Sequence, residues 1–365
     1  MKKLLAILFP AALAAALCWS CENTTAPLET RDFNYEESTD HASIKFSAEL
    51  PEGNDHISRT IRENLFGVMD NQLSHIGSFE GERLFDPYDG DMSDTEGCVK
   101  YYFDNALKVI FDGAADDVRQ RAEYIKQDTE IDDAQKEEIL SRMPGWEYEY
   151  SLGMIADADS YAVFQSQDYI YMGGAHGGVT GAGCITFDKK TGSIVEQFLE
   201  PGCEEDIQPL LRDGLVEYFA DADAQINDSN PNEYLMLESD LIPLPAWQPY
   251  PGEDGLVFVY QQYEIAPYAA GMPAFTVPFE EIAPYLTPVA KRIIGLYFSF
   301  FRKPAQKHRG PALLVTLLKT SHFQHCFEQG DFATLQSGNK KAEGCPGQSR
   351  FFILHTLYSK ALILK

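Results

Sequence analysis

From Trp146 onward the chain places a large apolar side chain at every second position. Trp146, Tyr148, Tyr150 and Leu152 interleave with Glu147, Glu149, Ser151 and Gly153. Neighbouring side chains of a strand point to opposite faces, so a period of two is that of a strand with one buried face. Tyr161–Tyr171 repeats the habit, and Gly255–Tyr263 and Ala274–Pro278 read as further strands. Before Trp146, Ser43–Leu50 is a strand by the same criterion, with Ile44, Phe46, Ala48 and Leu50 on one face. The stretches between are helical. Asp55–Leu73 carries Ile57, Ile61, Leu65, Val68 and Met69 at helical spacing, with Asn54 or Asp55 as its cap. Tyr101–Lys126 follows through Phe103, Ala106, Leu107, Ile110 and Phe111, with Gly113 as a candidate break, and Asp132–Met143 is a short charged helix stopped by Pro144-Gly145. Asp206–Phe219 and Phe279–Leu286 complete the helices. This order predicts an α+β fold, mixed helices with an antiparallel sheet, and no internal repeat is visible.

Charge divides the chain. Its 365 residues, 44% of them hydrophobic, suffice for one large or two ordinary domains. The formal charge of −27 argues against nucleic acid or an anionic membrane surface as the main partner and favours a cationic partner or none. Lys291–Lys365 holds 12 Lys or Arg against 3 Asp or Glu, so that segment carries +9 and the rest −36. A sign change this sharp marks a boundary. Residues 292–365 read either as a basic accessory segment or as a disordered or artefactual tail. Their apolar bursts, such as Ala312–Leu318 and Phe351–Leu354, are too short to cross a bilayer.

The first residues have the form of an export signal: Lys2 and Lys3, then the short apolar run Leu4–Leu17, then Cys18-Trp19-Ser20-Cys21. A small residue before a cysteine at this place resembles a bacterial lipoprotein cleavage site. Residues 1–21 are thus expected to be a signal peptide, Cys21 the lipidated residue, and the location the cell envelope, at the periplasm or outer membrane. Plain secretion is the alternative. Residues 22–42 are polar and read as a flexible tether. Of the remaining cysteines, Cys184 and Cys203 flank a hairpin-like stretch with Lys190-Thr191-Gly192 at its turn and could pair.

Two segments stand out chemically. Tyr169-Ile170-Tyr171-Met172 runs into Gly173-Gly174-Ala175-His176-Gly177-Gly178. Glycines permit a sharp turn and close backbone approach, and a histidine there can meet a ligand or simply hydrogen-bond backbone. Some ninety residues later comes Tyr263-Glu264-Ile265-Ala266-Pro267-Tyr268-Ala269-Ala270-Gly271, in which Pro267 prevents a central strand from continuing. Its bland reading is a structural corner with tyrosine hydroxyls on backbone groups. Catalytic and metal motifs are missing: there is no Walker spacing, no HExxH, and in Asp86–Glu96, counted from Asp89 as first ligand, Asp94 stands at the sixth place where a calcium loop has glycine. His322, His325 and Cys326 fall in the basic tail. No cofactor and no metal are expected.

In this order and at this distance the two segments resemble the extracytoplasmic domain shared by lysozyme-sensing anti-sigma factors (RsiV) and peptidoglycan deacetylases (PdaC). The resemblance covers Ser43–Lys291 and is strongest over Tyr169–Leu286. It implies a PdaC-type part at 43–167 and an RsiV-type part at 168–291. The deacetylase's metal motifs are absent, so the resemblance implies a non-catalytic envelope module that binds lysozyme, another basic protein, or peptidoglycan fragments. Candidate ligand-binding residues are Tyr171, Gly173, Gly174, His176, Gly177, Tyr263, Glu264, Pro267, Tyr268 and Gly271. The alternatives are a cell-wall hydrolase using His176 with Glu264, and a structural lipoprotein without a ligand.

Overall fold

A computed structural model describes residues 26–78, 81–174, 178–222, 235–237 and 239–296. Five strands make the main sheet, in the order β1 (Thr30–Ser38), β2 (Ala42–Pro51), β3 (Trp146–Asp157), β4 (Tyr161–Met172) and β5 (Val179–Asp188). All neighbours are antiparallel except β2 and β3, which run parallel. A parallel joint requires a crossover, and the crossover here is helical: α1 (His56–Leu73), α2 (Thr95–Gln127) and α3 (Asp133–Ser141). The molecule is α+β, and its sheet is mixed at this one joint.

The alternation seen in the sequence sets the packing. Ile44, Phe46, Ala48 and Leu50 of β2, Tyr148, Tyr150 and Leu152 of β3, and Ala162 and Phe164 of β4 all turn inward. They meet Ile61, Leu65 and Met69 of α1 and Val99, Phe103, Ala106 and Ile110 of α2 in one core. Asp55 caps α1 through the amide of Ser58 at 3.0 Å, and Asp94 caps α2 through Gly97 at 2.9 Å. Gly113 does not break α2; the ring of Trp146 lies against it, 2.6 Å from where a Cβ would sit.

A second core lies beyond β5. There α4 (Gln208–Ala222) packs on a three-stranded antiparallel sheet of β6 (Tyr250–Pro251), β7 (Gly255–Val259) and β8 (Ala274–Pro278). Ile207, Leu211 and Leu215 meet Leu256, Phe258, Phe275 and Val277. The chain then closes with α5 (Phe279–Ile282), a 3₁₀ turn at Ala283–Tyr285, and α6 (Pro288–Ile293).

Several expectations need correction. The tether of 22–42 is a strand from Thr30, because Phe33 is buried and Tyr35 stacks on Phe103 at 4.8 Å; two inward aromatics anchor the edge. A division at 167/168 falls inside β4. The first core instead runs on to Phe187 and the second begins at Val195. The fold also continues past 291, since Ile293 is buried and Arg292 pairs with Asp188 at 2.5 Å. The strand beginning at Gly255 stops at Val259, not Tyr263. Cys184 and Cys203 are not bonded, as they sit in different apolar clusters. Residues 1–25 and 297–365, Cys21 and most of the basic segment among them, lie outside the described residues. Among the described residues no helix is long and apolar enough to cross a membrane.

The two ends of the described chain meet at the β3–β4 and β5 turns. Lys189 reaches Asp157 at 2.6 Å with only 4% of its side chain exposed, and Asp157 also accepts from the amide of Leu28 at 2.9 Å. Removing one partner of a buried pair strands the other charge. Asp157→Ala is therefore expected to lower stability by about 3 kcal/mol in urea unfolding. Glu96→Ala, which breaks the exposed Arg31 pair, should change it by less than about 1 kcal/mol.

Candidate ligand-binding face

The sheet face opposite the helices is covered around Val163 and Cys184 by Tyr250, Val257 and Val259 of the second sheet, and toward its other end it is open, carrying charged and aromatic side chains. Tyr169 and Tyr171 lie two apart on β4, so they share a face, and their register partners on β3 are Glu149 and Glu147. Lys45, opposite Glu149 on β2, reaches it at 3.0 Å. That hydrogen bond and the glutamate charge raise the lysine pKa. The Tyr169 hydroxyl is pushed up, first by burial and then by the nearby Glu147 carboxylate.

Two glycines shape this end for definite reasons. Gly173 has φ of 69°, and a Cβ there would lie 2.9 Å from both Arg121 Nη1 and the Pro144 carbonyl. Arg121 donates to the carbonyls of Gly173 (2.7 Å) and Met172 (2.8 Å), and its Nε donates to Asp117, which also accepts from the Trp146 indole at 3.0 Å. The end of β4 is thus fastened to α2. Gly178 is covered by the Tyr169 ring, which comes within 2.2 Å of a hypothetical Cβ. Tyr171 donates to the Gly174 carbonyl at 3.1 Å. His176 and Gly177 lie outside the described residues.

The second segment packs on the free edge of β5. Gln261 is buried, and its amide side chain accepts from the Ala182 N–H (2.9 Å) and donates to the Ala182 carbonyl (2.7 Å), as a neighbouring strand would. Gln262, also buried, accepts from the Thr180 N–H at 2.9 Å. Tyr268 then donates to the Gly178 carbonyl at 2.8 Å, which joins the two segments directly. Tyr263, with φ of 66°, holds its ring 5.8 Å from that of Tyr268. Pro267 precedes the 3₁₀ turn Tyr268–Ala270, and Gly271 ends it at φ 71°. Tyr218 donates to the Ala270 carbonyl at 2.6 Å and braces that turn.

Glu264 has structural work. Its two oxygens accept from the amides of Ala246 (2.6 Å) and Gln261 (2.7 Å). Burial raises its pKa, and the two amides partly oppose the rise. A carboxylate held this way clamps loops together and is poorly placed to take a proton from water. Gly178, with the Tyr169 ring over it, therefore meets Tyr268 and the neighbouring Tyr263, whereas Gly173 is fastened to Arg121 of α2 and Tyr171 turns to the Gly174 carbonyl.

Sequence reasoning overlooked Glu147, Glu149 and Lys45 as members of this face, although the register of alternating strands places them there. It also overlooked Asp168. Ala162, Phe164, Ser166, Asp168 and Ile170 form the inward-facing set of β4, and an aspartate in that set was the available signal. Asp168 sits between Tyr150 on β3 and Gly181 on β5, with its Oδ1 2.7 Å from where a Gly181 Cβ would lie. Ser166 beside it contacts Gln72 and the Tyr150 hydroxyl. Burial pushes the Asp168 carboxyl up to about 7. Among the described residues no three His, Cys, Asp or Glu side chains form a metal-holding group.

Residues 196–280 match the model of a family described as a protein of unknown function (DUF3298). That stretch holds the second segment and much of the second core. Similar solved structures include a member of the DUF3298 family from Bacteroides fragilis, with 17% identity and a TM-score of 0.51, covering 75% of this chain and 100% of that one. Another is a DUF3298 family protein from Pseudomonas aeruginosa, with 15% identity and a TM-score of 0.44, covering 72% of this chain and 96% of that one. At these identities the first likeness is one of fold. No curated protein matches the chain.

A carboxyl whose folded pKa lies above its unfolded value near 3.9 binds its proton more tightly in the folded state. The stabilisation from Asp168 is thus present below about pH 4 and is lost as pH rises to about 7. Asp168→Asn is expected to flatten that part of the stability profile and to add about 1–3 kcal/mol at pH 8, measured by urea unfolding across pH.

Proposed function

We propose that the chain is a non-catalytic binding module of the cell envelope, tethered through a lipid on Cys21, whose tyrosine-and-carboxylate face takes up lysozyme or a similar basic protein. The observation that carries this reading is the convergence of Tyr169, Tyr171, Tyr263 and Tyr268 beside Glu147 and Glu149. Tyrosines offer rigid amphipathic contact area. Carboxylates steer a cationic partner and raise its encounter rate. The strong acidity of the chain before Lys291 points the same way, as does the likeness of the two segments to the RsiV-type domain. The engagement of both Glu264 oxygens favours binding over a hydrolase built on His176 and Glu264.

Titration calorimetry of the full chain tests this, with lysozyme and, separately, soluble peptidoglycan fragments as ligands. Lysozyme is expected to bind at low salt and to weaken as salt rises. The Tyr171→Ala, Glu147→Gln double variant should weaken binding at least tenfold, or about 1.4 kcal/mol. Binding of peptidoglycan fragments alone would move the ligand from protein to glycan. Heat from neither ligand at low salt would remove the proposal.

A further inference from the structure

The main sheet has two outer strands, and they are finished differently. β5 is covered by Gln261 and Gln262, whereas among the described residues no strand lies beyond β1. Two backbone bonds fix which groups of β1 face outward. The Thr39 amide donates to the Ala42 carbonyl at 2.7 Å, and the Glu52 amide to the Glu29 carbonyl at 2.9 Å. Both continue the register of β1 with β2. Bonded and unbonded positions alternate in an antiparallel pair, so the odd-numbered residues of β1 bond β2. Thr30, Asp32, Asn34, Glu36 and Ser38 turn their N–H and C=O groups away from it. The last four of these are exposed, and no backbone bond from outside the strand pair reaches them among the described residues. β1 is nine residues long, with no proline and no shift of register. An edge in this state is a template for a further strand.

The same even positions place their side chains on the face away from the helices, because Phe33 and Tyr35 pack inward. Asp32, Asn34 and Glu36 therefore follow one another along the edge. Asp32 lies opposite Glu49 of β2, and Glu36 opposite Lys45, whose ammonium is held by Glu149. This pattern decides the occupant. The symmetric register that would join two copies along the whole strand centres on Asn34 and sets Asp32 against Glu36 twice. Like charges directly opposite destabilise a strand pair, and opposite charges stabilise it. A strand with Lys or Arg at alternate positions sets a cation against each carboxylate instead. Its other side chains continue the inner layer of Phe33 and Tyr35, where β-branched residues suit a pleated surface. We infer that β1 accepts, by strand addition, an extended segment of a partner protein with Lys or Arg at alternate positions. The site is separate from the tyrosine face and stands whether or not that face binds lysozyme.

The probe is a capped peptide of alternating valine and lysine, as long as β1, added to the full chain at low salt. Its valine–glutamate counterpart and a fully N-methylated form, which keeps the charge but cannot donate backbone bonds, are the controls. The lysine peptide is expected to bind and to slow exchange of the Asn34 and Glu36 amides about tenfold or more. Asn34→Pro removes one outward N–H and no bond to β2, a change that edge strands tolerate; it should weaken binding about tenfold. The Asp32→Lys, Glu36→Lys double variant alters exposed side chains alone and should transfer the preference to the glutamate peptide. Tyr171→Ala should leave the affinity unchanged. Absence of binding, equal binding of the N-methylated form, or an unchanged preference in the double variant overturns the inference. So does protection of the Asn34 amide before peptide is added, which would put a second copy or another part of this chain on the edge.

Discussion

The side-chain amide of Gln261 holds the molecule's two halves in register. β5 is an edge strand, and an edge exposes unpaired N–H and C=O groups. Gln261 answers both backbone groups of Ala182, and Gln262 answers Thr180. Losing such a partner leaves buried polar groups unsatisfied, at a cost of about 1–3 kcal/mol each. The loop after β7 is therefore fixed along β5, and its next residues follow: Glu264 bridges Ala246 and Gln261, and Tyr268 reaches Gly178. Closing the edge and building the aromatic face are one structural event.

The acidity of the chain is distributed in a way that serves this arrangement. Carboxylates inside the fold have fixed duties: Asp157 holds Lys189, Asp188 holds Arg292, and Glu49 accepts from Thr30 and the Met154 amide. Those on the open sheet face and on α2 and α3 remain toward solvent, where their field reaches a partner over roughly a Debye length, about 8 Å at physiological salt.

Much of the fold was legible because its periods were clean. The helical spacing of Asp55–Leu73 gave the observed helix nearly to the residue, and the alternation from Trp146 gave the start of β3, which runs four residues beyond Gly153. The strand at Thr30 was missed because only Phe33 and Tyr35 turn inward among polar neighbours, and nine residues with two anchors look like a tether until β2 is beside them. The parallel joint of β2 with β3 depends on pairing across some hundred residues, which local periodicity does not encode. In the site, the glycines and tyrosines were visible as motifs, but their meeting rests on the Gly178–Tyr268 bond and on glutamines with no signal of their own. Glu264 looked like a candidate base in the sequence and is a clamp in the structure, because only the fold shows which amides face it.

Hydrogen exchange at Ala182 tests the edge closure most directly. The account expects the Ala182 amide to be protected in the full chain, and Gln261→Ala to speed its exchange at least tenfold while also releasing Thr180 and the Tyr268 contact to Gly178. An Ala182 amide that exchanges as fast as an open chain, or whose protection is unchanged by Gln261→Ala, would contradict the claim that this side chain joins the two halves and assembles the face.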